Sequence, residues 1–466
     1  MRLWASFTRR FGQMRKLRIP KKLLECRTRP GGDRGATPSG DPNCPRLLGI
    51  FMAWRLRAYS LGIATVYAVV FFHFFRGGGW IININRAPIY TDFTTAWVAG
   101  LQALHGNVAA LYNSTEFVNI QTALLGPLEF VYPNWPYPPP FFLLLAPFAL
   151  LPYFWAFLAW DLITLLGCVS IVYLIVRRSP AIALVLASPF TAWNFLAGQN
   201  GFLLASLLGA ALLFLERQPT LAGVFIGCLT YKPQFGILLP IALLAANQWR
   251  AIASAIATVA LLAAASIAAF GASAWEAFPR GLFQQFGIVV GAEGEPLFAV
   301  NWGYIQSVYG LVRYLHGSAG LAWLAQGSMT LFAALLVWMF WRSPLRYALK
   351  AALLSIVVLL ATPYVFAYDL AALSIPVAFF AKDQMRSGVL RGEQTVLLGL
   401  FCSVLALLVA LTDPRIGTTF GSIPIGPAVL IVLLGLVLRR AISANSTFAG
   451  SSWFRYLRPL RISKFF

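Results

Sequence analysis

Few residues in this chain have the chemistry to act. Its 466 residues include fifteen Asp and Glu, three His and five Cys. Glu25, Asp33 and Asp41 lie in a basic leading stretch, and Glu116, Glu129, Glu276, Glu293, Glu295 and Asp413 fall in loops. Glu216, Asp383 and Glu393 border apolar runs, whereas Asp161 and Asp369 lie at or inside them. Asp161, on an apolar face, is expected to bond a neighbouring helix. Asp92 stands among aromatics in Tyr90-Thr91-Asp92-Phe93-Thr94. A carboxylate there can cap a helix, or it can accept the proton of a hydroxyl as that hydroxyl attacks. Lys232 ends an apolar run and precedes Pro233. It can snorkel towards water, or it can face an anion, since ionisable groups at membrane depth are expensive and mark pathways. The cysteines (Cys26, Cys44, Cys168, Cys228, Cys402) show no metal spacing and no disulfide framework. No metal or cofactor is therefore expected.

The elements that carry these residues are apolar. Hydrophobic residues make up 59% of the chain, charged residues 11%, and the mean hydropathy is +0.73. A soluble chain carries about 25% charge, so lipid is the expected solvent. Long runs such as Ala58–Phe75, Tyr153–Val176, Ile252–Phe270 and Leu321–Trp341 approach the roughly 20 residues that cross a bilayer. Shorter or Pro-broken runs include Pro139–Leu151, Ile182–Phe195, Leu221–Leu229 and Phe235–Ala246. The runs are continuous rather than alternating, which predicts helices and not a barrel. The expected class is an all-α polytopic membrane protein with about 10–13 transmembrane helices, twelve being the central figure. Two long loops interrupt the runs, Arg76–Tyr137 and Gly271–Gly320.

Charge predicts orientation. Residues 1–57 hold fourteen Lys or Arg against three acids, and the chain after Leu438 holds six basic residues and no acid. The positive-inside tendency places both termini in the cytoplasm and the first loop, with Asp92, outside. Basic tails beside spans are ordinary topology signals that anionic lipid headgroups attract, so no nucleic-acid partner is expected. The domain reading is a basic, disordered extension over 1–57, a multi-spanning domain over 58–438, and a basic tail over 439–466. The path of the middle stays open. Simple alternation through Pro139–Leu151 and Tyr153–Val176 puts Arg177-Arg178 outside, unless one of those segments is re-entrant or the pair crosses only once.

Four stretches, in order, resemble glycosyltransferase family 87, the polyprenol-phosphate-mannose-dependent mannosyltransferases of the GT-C superfamily. The first is Asp92-Phe93 followed by Ala96 to Gly106 and Leu111-Tyr112. The second is Tyr137-Pro138-Pro139-Pro140-Phe141 running to Pro147 and Leu151-Pro152. The third is Gly198-Gln199-Asn200, then Ala222-Gly223 and Lys232-Pro233. The fourth is Thr362-Pro363-Tyr364 with Tyr368-Asp369. Together they cover roughly residues 58–380. The resemblance implies a GT-C-like bundle with a large first extracytoplasmic loop in a bacterial inner membrane. It also implies a polyprenyl-phosphate sugar donor, a hexose such as mannose, and a lipid or glycan acceptor. The family's loop aspartate maps onto Asp92 as catalytic base. Tyr90, Tyr137, Gln199, Asn200, Lys232, Tyr368 and Asp369 become the expected substrate-binding residues. Many members carry His–Asp where this chain has Tyr368-Asp369, so no imidazole serves here. Gln199-Asn200 can equally be a polar turn, and Tyr137 with its prolines a rigid helix entry. Rival readings are a lipid-sugar flippase or transporter, and a surface-polysaccharide polymerase or ligase. Transporters often carry a repeated half, and no internal repeat is evident.

Overall fold

The computed structural model describes residues 44–126, 135–290, 302–411 and 423–446. Their regular structure is helical, with isolated bridges only. The basic stretch 1–43, the tail 447–466, and Glu129, Glu293, Glu295 and Asp413 lie outside the described residues.

The first helix, α1, runs Cys44–Arg76, and so starts well before Ala58. Residues 44–57, placed in a disordered extension by their charge, are helical. The apolar run Leu47–Trp54 continues the helix backwards, which Arg55 and Arg57 had masked. After a loop come α2 (Asp92–Leu104), a 3-10 turn (Ala109–Tyr112) and α3 (Ser114–Leu125). Next are α4 (Pro140–Ala149), α5 (Tyr153–Val176), α6 (Pro180–Ala187), α7 (Pro189–Ala197) and α8 (Gly201–Phe214). Then follow α9 (Pro219–Cys228), α10 (Leu239–Ala245), α11 (Trp249–Phe270) and α12 (Ala272–Val290). The remainder is α13 (Val308–Tyr314), α14 (Ala319–Arg342), α15 (Tyr347–Ala361), α16 (Ser374–Ser387), α17 (Glu393–Leu411) and α18 (Gly426–Ser446). Proline at the first turn of α4, α6, α7 and α9 explains their starts, because a missing N–H costs nothing there.

The chain is an all-α polytopic membrane protein. Among the described residues five helices are long and apolar enough to cross a bilayer, or six if α6 and α7, bent by 59°, make one span. Other apolar runs, α4, α8 and α15 among them, form helices of 10–17 residues. At 1.5 Å per residue, the 24-residue α5 is about 36 Å long, but the 14-residue α8 and the 15-residue α15 are only about 21–22 Å. Against a hydrocarbon core of about 30 Å, these short helices are not long enough to cross it alone.

Side-chain bonds settle the middle of the chain. Arg57 donates to Ser179 at 2.6 Å, Tyr67 to the Ala187 carbonyl at 3.2 Å, and Trp80 Nε1 to the Leu196 carbonyl at 2.9 Å. α1 and the α6–α7 pair therefore run parallel, with Arg57 and Arg177-Arg178 at one end of the bundle. Among the described residues, α5 alone makes the crossing on the way from the first loop to Arg177-Arg178. α4 instead packs on α2, where a Cβ at Gly100 would strike Ala149 and Leu145. The same end gathers Arg346, Asp383, Glu393 and Arg440. Arg440 is not part of a solvated tail: its guanidinium is buried against Asp383 (2.7 Å) and Glu393 (2.6 Å), and Arg346 shares Asp383 at 2.6 Å. This cluster ties the ends of α15, α16, α17 and α18 together. The core centres on α15, buried from Ala348 to Ala361 apart from Lys350. A second, aromatic core lies under the first loop.

Candidate functional site

Three helix breaks meet where the short helices stop. α7 ends at Gly198, whose φ of +68° is left-handed, and α8 restarts at Gly201. α9 ends in a 3-10 turn (Leu229–Tyr231), and Lys232 joins it to a second turn that Pro233 opens. α15 ends at Thr362-Pro363, and a 3-10 turn (Ala367–Leu373) leads into α16. Irregular backbone at membrane depth is tolerated where it lines a cavity or is buried in protein. Here it walls a cavity of about 710 Å³, closed on a fourth side by the start of α2.

Asp92 is the first residue of α2. The expected choice between helix cap and free carboxylate is answered locally. Thr91 takes the cap position, its N–H donating to Thr94 Oγ1 at 2.9 Å. The Asp92 carboxylate is left to face the cavity, where Oδ2 accepts from Gln199 Nε2 at 3.3 Å. Burial pushes its pKa up to about 6, while the Gln199 hydrogen bond and the Lys232 charge pull it back.

Gln199 is held from behind. Its carbonyl accepts from Trp160 Nε1 (3.3 Å) and Asn194 Nδ2 (3.1 Å), and Asn194 Oδ1 accepts from Gly201 N at 2.8 Å. Gly201 has no room for a side chain, since a Cβ would collide with the Tyr368 carbonyl oxygen. Asn200 turns away from the cavity and is buried, donating to Tyr137 OH at 2.7 Å. Tyr137 packs at a tilt against Phe141 and stacks with Tyr231, and its carbonyl accepts from Tyr112 OH at 2.9 Å.

Lys232 does not snorkel. It is 4% exposed, and its ammonium lies 2.6 Å from Asp369 Oδ1. Asp369 is 1% exposed, and its other oxygen accepts from Phe366 N at 3.1 Å. The Tyr368 ring stacks on Phe366 and lies over the lysine, with 4.8 Å from Nζ to the ring centroid.

Tyr90, Asp92, Tyr137, Gln199, Lys232, Tyr368 and Asp369 thus border one cavity, with Asn200 directly behind. The sequence reading missed Trp193, Tyr304 and Phe366 on its wall, and Asn194 beneath it. Tyr304 belongs to the second loop. It reaches the cavity because Ile305 bridges to Phe366, and Gln306 N donates to the Val365 carbonyl at 2.6 Å. A polar residue in the apolar run Pro189–Ala197 was the one available signal for Asn194. Asp161 is the exception to its expectation. It is fully buried in α5, and neither carboxylate oxygen has a hydrogen-bond partner, so it bonds no neighbouring helix. No group of three or more His, Cys, Asp or Glu suited to a metal occurs among the described residues.

An apolar-walled cavity with a carboxylate base on one side and a buried cation on the other can activate a hydroxyl and hold an anionic leaving group. No curated protein and no solved structure matches the chain. A family model does. Residues 135–363, which carry the second and third motif stretches and reach Thr362-Pro363, match the model of glycosyltransferase family 87, and the chain is a membrane glycosyltransferase with a family 87 domain.

Proposed function

We propose that the enzyme transfers a hexose, mannose by family resemblance, from a polyprenyl-phosphate donor to a lipid or glycan acceptor on the outer face of a bacterial inner membrane. The observation that carries this reading is the pairing of Asp92 and Lys232 on the wall of one cavity, at the breaks where the short apolar helices end. A lipid-borne phosphate can reach those breaks with its chain still in hydrocarbon. The acceptor hydroxyl enters beside Asp92, which takes its proton as the oxygen attacks the anomeric carbon. An in-line displacement inverts that carbon, and the prenyl phosphate leaves towards Lys232. Gln199 orients the Asp92 carboxylate. The aromatic side chains of Tyr90, Trp193 and Tyr304 offer faces for sugar rings.

Membranes containing the protein, incubated with labelled polyprenyl-phosphate mannose, should move label into an acceptor fraction that survives mild acid. Label that stays on the donor, with protein present and folded, overturns the donor assignment.

A further inference from the structure

Among the described residues, the cavity wall carries one cation and two carboxylates: Lys232, Asp92 and Asp369. The cation is already matched. Lys232 and Asp369 touch at 2.6 Å, both almost fully buried, and the Phe366 N–H and the Tyr368 ring fix the pair from behind. A site built only to grip an anion would leave its cation uncompensated. Here any anion that reaches Lys232 must share it with a carboxylate.

We propose that Asp369 is a counter-charge that limits how tightly Lys232 holds the lipid phosphate after transfer, and so governs product release. The inference rests on the lipid-phosphate reading above. In that reaction the donor is a phosphodiester with one negative charge. As the acceptor oxygen bonds to the anomeric carbon, its proton passes to Asp92. The bond from that carbon to the phosphate oxygen breaks, and its electron pair stays on the phosphate. Asp92 ends neutral, and the phosphate monoester carries one more negative charge than the donor did. A lone buried cation would hold this product more tightly than the substrate, because attraction grows with charge and is weakly screened away from water. Such a site empties slowly, and release of product often limits turnover. Asp369, bonded to the same ammonium, repels the added charge and levels the two affinities. It is a positioning residue for Lys232 with an electrostatic part of its own.

The probes are a short-chain prenyl phosphate and its methyl diester, measured against the detergent-solubilised full chain. The wild type should bind the two within about tenfold of each other. Asp369→Asn should bind the monoester about tenfold more tightly, a gain of roughly 1.4 kcal/mol, with the diester little changed. It should also slow multiple-turnover transfer more than single-turnover transfer. Asp369→Glu, which keeps the charge, should return the wild-type ratio of affinities. Weaker monoester binding by Asp369→Asn would show that the carboxylate only holds Lys232 in place, and would overturn the proposal. If that variant does not fold, the wild type alone decides: a preference for the monoester of about a hundredfold or more overturns it equally. Binding of neither probe by the wild type removes the lipid-phosphate reading itself.

Discussion

Asp92 owes its availability to its neighbour. Thr91 and Thr94 close the start of α2, so the carboxylate carries no capping duty and keeps Gln199 as its hydrogen-bond partner. Asp92→Asn should therefore fold, since nothing in the cap is lost. If Asp92 is the base, transfer per folded protein should fall by about 10²–10⁴; near-full activity would end the mechanism. Asp161→Asn is the comparison, an acid with no bond to lose and no place on the cavity wall. The pH dependence follows from the same residue. A base works only when deprotonated, and burial holds Asp92 at about 6. The wild-type rate should hold above pH 6 and fall about tenfold per pH unit below it. The Gln199 hydrogen bond favours the charged form, so Gln199→Leu should move that acid limb to higher pH. An unmoved limb would separate Gln199 from Asp92. Most of these residues were legible in the sequence, because a polar or charged group beside an aromatic or a proline in an apolar run has few innocent uses in lipid. Arg440 and Asn194 were not. Arg440 looked like one of many basic tail residues, and only the fold brings Asp383 and Glu393 to it.

At the scale of elements, the site exists because helices stop short. Each break that shapes the cavity was visible as a local signal, Gly198 to Gly201, Lys232-Pro233 or Thr362-Pro363. The meeting of the three breaks was not, since it depends on long-range packing. Gly201 is the closest point of that meeting, set against the Tyr368 backbone. Gly201→Ala should push the Tyr368-Asp369 wall away from the Gln199 turn, costing about 1–3 kcal/mol as overpacking does. Transfer should fall with it, read as a lower midpoint of thermal unfolding in detergent together with a lower rate. An unchanged midpoint and rate would mean that the wall yields at no cost. The far ends of α15, α16, α17 and α18 depend on Arg440. Arg440→Met leaves Glu393 and part of Asp383 without a cation in a buried setting, a loss of about 3–5 kcal/mol when one partner of a buried pair is removed. The same midpoint should drop sharply. A small change would show that water replaces the guanidinium and that the cluster is solvated.

For the whole molecule, the bundle has two unlike ends, and orientation decides whether Asp92 meets its substrate. One end collects Arg57, Arg177, Arg178, Arg217, Arg346, Lys382 and Arg440. The paired bonds from Arg57–Ser179 to Trp80–Leu196 place the first loop at the other end. Positive charge beside spans is retained on the cytoplasmic side, so we expect the Arg57 end inside and the Asp92 loop outside. His105 and Arg178 are exposed at opposite ends. Each can be replaced by cysteine in a chain whose five native cysteines are serine, and then treated in intact cells with a membrane-impermeant maleimide. His105→Cys should label at once, and Arg178→Cys only after the membrane is opened. The reverse pattern would turn the molecule over and put Asp92 in the cytoplasm. A donor presented on the outer face would then be out of reach, however well the cavity suits it. Labelling of both positions in intact cells would mean that the two ends are not separated by a bilayer. That outcome would contradict the single crossing of α5 between the first loop and Arg177-Arg178, on which the orientation argument depends.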